Sequence, residues 1–190
     1  MLVATIAAAI LLVAAFPGRQ AAEAPNVDWG KRLTEAANQA GVAVQTDQMF
    51  TMERDGVRFT GGVIDGFETT PATDLPGGID YAFGYLSVPD AGIQEDFYTF
   101  RVSTPGQPRL GDNTGTVELI DRNGNIAHRF ESAIEVSSLT VPANPAAPQS
   151  VMTGSLDVDA QFQRIFIGIW VRCPNGMWVC VEITIDFHGF

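Results

Sequence analysis

Residues 116–132 read TVELIDRNGNIAHRFES. Apolar and polar side chains alternate on either side of Asn123-Gly124, a dipeptide that tolerates the positive φ angles of a type I′ turn. The stretch is therefore read as a β-hairpin with a two-residue turn. A calcium loop is the competing reading of DRNGN. Oxygen-bearing residues stand at the first, third and fifth loop positions, but Ile126 occupies the place of the required glycine and no bidentate glutamate closes the loop.

The same period-two pattern extends in both directions from this hairpin. Upstream, GVAVQTD (41–47) and QMFTMERDGVRFTGGV (48–63) contain a second hairpin turning at Asp55-Gly56. IDYAFGYLSV (79–88) and DFYTFRVS (96–103) follow as strands, after a long Gly/Pro/Thr-rich loop, GFETTPATDLPGG. Downstream, VPANPAAPQ (141–149) carries three prolines and cannot join a central strand. It is read as a surface crossing. SLDVDAQFQ (155–163) alternates as a strand. In the closing stretch, RIFIGIWVRCPNGMWVCVEITIDFHGF, Ile165, Ile167, Ile169 and Val171 form one apolar row. Val179, Val181, Ile183, Ile185 and Phe187 form another, and a hairpin about PNGM can point both rows at one core.

Short strands with frequent turns and no interleaved helices predict a mainly β fold. The expected form is an antiparallel β-sandwich, Ig-like or jelly-roll-like, of seven to nine strands. One short amphipathic helix precedes it. Asp28 can cap WGKRLTEAANQA, with Trp29, Leu33, Ala36, Ala37 and Ala40 at helical spacing and Gly41 as the stop. The expected organisation is an apolar segment over 1–18, a linker and short helix over 19–40, and a single β domain over 41–190.

The start, MLVATIAAAILLVAAF, has one polar side chain, Thr5, in sixteen residues. As a helix it rises ~24 Å at about 1.5 Å per residue, somewhat less than the ~30 Å hydrocarbon core. No Lys or Arg precedes it, and Pro25 follows the candidate cleavage site Ala22-Glu23-Ala24, so it departs from a secretory signal. Ala4, Ala7, Ala8 and Ala15 keep part of such a helix small, which suits close helix packing in lipid. A retained transmembrane anchor is favoured over a cleaved signal peptide. The expected location is a bacterial membrane with an extracytoplasmic, periplasmic or cell-surface domain. Arg19, Lys31 and Arg32 after the apolar run argue for the cytoplasmic side, which stays open.

The 190 residues are 46% hydrophobic and 17% charged, which excludes a disordered chain and a multi-span membrane protein. The formal charge is −11, with Lys31 the sole lysine and the arginines scattered, so nucleic acid is not an expected partner. Two cysteines, Cys173 and Cys180, have no histidines in ligand spacing, so the choice is a short-loop disulfide or two free thiols. A disulfide would require a bulge near Pro174.

No serine elbow, phosphate loop or zinc motif occurs. His128 is placed on an outward strand position and His188 near the end, and Asp157 with Asp159 reads as a polar outer face. No catalytic residue, metal or cofactor is expected. Trp170 and Trp178, with Tyr85, are candidate contacts for a partner or ligand. The expected function is a non-catalytic, membrane-anchored accessory or structural subunit. Its partners are the lipid bilayer and other membrane subunits, in a larger membrane or envelope complex, a class that includes respiratory and photosynthetic ones. The alternative is a secreted or surface module that binds carbohydrate or protein after loss of its leader.

Overall fold

Asp55 and Gly56 take φ angles of 49° and 83°. A two-residue type I′ turn demands that pair, and its twist matches the strands it joins. The turn links β1 (Phe50–Arg54) to β2 (Val57–Val63), with Arg54 opposite Val57. The computed structural model describes residues 27–67, 70–88, 91–136, 149–158, 162–173 and 176–188, the last three stretches by strand course and pairing alone.

Four further strands extend this hairpin in chain order: β3 (Ile79–Ser87), β4 (Asp96–Ser103), β5 (Gly111–Ile120) and β6 (Ile126–Val136). Each pairs antiparallel with its predecessor, so β1 to β6 form an open six-stranded antiparallel sheet. Beyond β6 the order continues through β9 (Gly176–His188) and β8 (Phe162–Cys173) to β7 (Gln149–Val158). This is one hydrogen-bonded sheet, where the alternation had suggested two facing ones. β7, last in the order, comes close to β1, first in it, with no ladder between them. A sheet curled in this way can bury one face on itself, and its strands alternate as those of a sandwich do.

The larger apolar cluster lies on one face and draws Phe59, Val63, Leu86, Phe100, Val117 and Ile134 from five strands. The β3–β4 register shifts between Asp80 and Ala82, so Tyr81 and Ala82 both join that cluster. Phe83 joins a second cluster on the opposite face, with Leu33 and Ala37 of α1 (Trp29–Ala40). The helix starts where the sequence places it. The Asp28 carboxylate accepts the Lys31 backbone N–H at 3.0 Å, and Gly41 ends the last turn. Each fully buried Leu or Phe contributes ~1.5–3 kcal/mol, so α1 is held to the sheet chiefly by Leu33 over Phe83.

Several expectations change. Val42–Gln45 forms no strand, only a single bridge from Val44 to Ile64, and a 3₁₀ turn follows at Thr46–Gln48. SLDVDAQFQ is not one strand, because β7 ends at Val158 and β8 begins at Phe162. The β5–β6 turn is not type I′. Gly124 alone has positive φ (81°), its N–H donates to the Asp121 carbonyl at 3.0 Å, and the Asp121 N–H donates to the Asn125 carbonyl at 2.9 Å. That is a three-residue loop with its glycine left-handed. The ladder then steps from Ile120↔Ile126 to Leu119↔His128, leaving Ala127 as an extra residue. A two-residue turn would also set His128 opposite Leu119, so the register there is unchanged. His128, two residues from Phe130, lies on the side of Leu119 and Phe130 and not in the expected outer row. The His128 and Phe130 rings stack with centroids 6.2 Å apart.

Among the described residues no helix is long and apolar enough to cross a membrane. The expected N-terminal helix over 1–18 and its packing candidates Ala4, Ala7, Ala8 and Ala15 lie outside the described residues.

Candidate functional site

Residues 32, 35, 36 and 39 recur at the spacing of one helix stripe, so α1 carries Arg32, Glu35, Ala36 and Gln39 along one side. This side forms a wall of a cleft of about 250 Å³. The floor is Phe83 of β3 and Phe97 of β4, whose rings stack nearly parallel, 13° apart, with centroids at 6.0 Å. The opposite wall is Asp96 and Arg122, the latter from the β5–β6 turn. Arg122 Nη2 donates to Asp96 Oδ2 at 2.7 Å, and that carboxylate raises the arginine pKa above its ordinary value. Asp96 Oδ1 also accepts the backbone N–H of Phe97 at 2.8 Å.

The turn that carries Arg122 is itself braced. The Asp121 carboxylate accepts the backbone N–H groups of Asn123 and Asn125 at 2.8 and 2.9 Å. The Asn125 bond, first among these, holds the Asp121 pKa below the usual carboxylate value. Hydrogen bonds that favour the charged form act in this direction.

Arg32 differs from Arg122 in having no carboxylate partner among the described residues. It rests on aromatic rings instead. Its guanidinium carbon lies 4.7 Å from the Trp29 ring centroid, 5.9 Å from that of Tyr85 and 6.0 Å from that of Phe97. Cation–π attraction of this kind contributes ~0.5–2 kcal/mol and leaves the N–H donors free to bond elsewhere. Trp29 also receives Arg58, at 5.0 Å, while Arg58 forks onto Glu53.

Tyr85 was a candidate ligand contact, and the fold buries it to 7% exposure. Its ring packs on Trp29 at 4.8 Å and on Phe97 at 5.5 Å, and its hydroxyl donates to the Glu95 carboxylate. Burial first, and the Glu95 bond second, push its pKa up to about 12. Tyr85 therefore serves as support beneath Arg32 and not as an open stacking surface. Trp170 stands opposite Val179 and Trp178 opposite Val171, on neighbouring rungs of the β8–β9 ladder.

The cysteines stand apart in the same ladder. Cys173 pairs with Gly176, and Cys180 is the extra residue where the register shifts beside Trp170. Cys180 is four steps along β9 from Gly176, about 13 Å at ~3.3 Å per residue, against Cα separations of up to about 7 Å in disulfides. Among the described residues no three His, Cys, Asp or Glu side chains gather to hold a metal ion.

Sequence reasoning did not single out Arg32, Phe97 or Arg122. Arg32 belongs to a polar helix stripe that reads as solvated, and the three meet only through tertiary packing. Compared with known protein families, curated proteins and solved structures, the chain matches none.

Proposed function

We propose that the chain is a non-catalytic accessory subunit, tethered by its first 18 residues, whose β domain docks on the soluble face of a larger membrane or envelope complex. The observation that carries this reading is the apolar run over residues 1–16, in which Thr5 is the one polar side chain. The acidic composition supports a partner face bearing basic groups. The test is purification from native membranes in mild detergent. Association with other chains is expected, and migration as a free monomer would overturn the proposal.

The alanine face refines that test. Ala8→Leu keeps the segment apolar while adding bulk where a helix would approach, at a cost of ~1–3 kcal/mol. The variant is expected in the membrane fraction but separated from its partners, while Ala9→Leu remains associated.

A second reading, an exported or surface binding module, draws on the cleft beneath α1. It replaces the proposed Tyr85 contact with Arg32, Phe97 and Gln39, and leaves Trp170 and Trp178 as possible partner contacts.

A further inference from the structure

We propose that the cleft between α1 and β3–β4 binds a small monocarboxylate carried on a flat apolar body. The inference rests on the binding reading above and is independent of the tether. Arg32 supplies the recognition element. Its guanidinium lies against three rings, lines the cleft, and has no carboxylate partner among the described residues. An arginine fork held on aromatic faces retains the planar donor geometry that matches a carboxylate.

The rest of the lining limits what such an anion can carry. Glu35 and Asp96 lie in the same cleft, so a polyanion such as a phosphate ester meets repulsion that a single carboxylate at Arg32 avoids. Asp96 and Arg122 pair with each other, which leaves Arg32, among the described residues of the cleft, as the cation available to a ligand. Of the two floor residues Phe83 is buried, and half-buried Phe97 offers the flat apolar surface on which a ring can stack. A volume of about 250 Å³ falls just below the ~300–1,000 Å³ of sites for drug-sized molecules, and suits one ring with a short acid tail.

The test uses the full chain and two probes of equal shape, phenylacetate and neutral phenylacetamide, followed by saturation-transfer NMR. Phenylacetate is expected to bind and to weaken with salt, with phenylacetamide about tenfold weaker or more, as loss of a charge-assisted bond implies. Arg32→Gln should remove this difference, with the melting temperature falling by no more than the few degrees that loss of the cation–π contacts implies. Ala36→Leu, which fills the cleft and leaves the charge in place, should weaken both probes. Equal binding of the two probes, or unchanged phenylacetate affinity in Arg32→Gln, overturns the carboxylate assignment and leaves the cleft as a binding site. Failure of both probes to bind overturns the binding reading as well.

Discussion

Gly61 of β2 and Gly84 of β3 face each other across the ladder, and the ring of Phe59 covers them both. A Cβ on Gly61 would lie 2.8 Å from Phe59 Cζ and 2.8 Å from the Phe83 carbonyl oxygen. One on Gly84 would lie 2.8 Å from the Gly61 Cα and the Thr60 carbonyl oxygen. Phe59, in turn, meets Phe100 edge-on at 5.5 Å in the main core. The glycine pair thus lets an aromatic ring lie flat on the backbone, which compensates for two missing side chains.

Gly61→Ala and Gly84→Ala are each expected to destabilise the domain by ~1–3 kcal/mol, because backbone must shift to admit the methyl group. Gly106→Ala is the control. A Cβ there meets nothing within 4 Å, and the change should fall within about 0.5 kcal/mol of zero. Urea unfolding curves measure all three.

The chain's three tyrosines, Tyr81, Tyr85 and Tyr98, all have pKa values raised above 10.0, with burial the leading cause in each. The folded state therefore holds phenolic protons more tightly than the unfolded state. Its stability should persist below pH 10 and fall as pH rises toward about 12, the value reached by Tyr85. In an alkaline titration, phenolate absorbance should rise together with loss of the circular dichroism of the fold. A separate phenolate step near pH 10 in the folded protein would contradict this. Tyr81→Phe removes a buried hydroxyl that has no hydrogen-bond partner among the described residues, and should cost no stability or add up to about 1 kcal/mol.

Cys173 and Cys180 should be free thiols in the folded chain. Alkylation after denaturation without reductant is expected to modify both, and reduction should leave the intact mass unchanged. A 2 Da increase on reduction would mean that the β8–β9 register of the fold is wrong.

Much of the fold was legible where one local signal governs one local structure. Asp28, Gly41 and the Asp55-Gly56 turn act within a few residues, and each does what its chemistry requires. At 123–124 the same logic misled, because Asn-Gly also fits a three-residue loop in which only glycine is left-handed. The extra Ala127 then restores the register a two-residue turn would give, with Leu119 opposite His128. Alternation could not separate one curled sheet from two facing sheets, since both bury every second residue. Cleft residues were hidden for another reason. Arg32, Phe97 and Arg122 come from a helix, a strand and a turn, and no spacing in the chain marks their meeting.

The mass of the mature chain taken from its native membrane tests the proposed tether most directly. A retained anchor predicts recovery in the membrane fraction at the full 20.4 kDa, with Met1 present or removed only by itself. A soluble product beginning at or near Pro25 would contradict the tether and leave an exported domain.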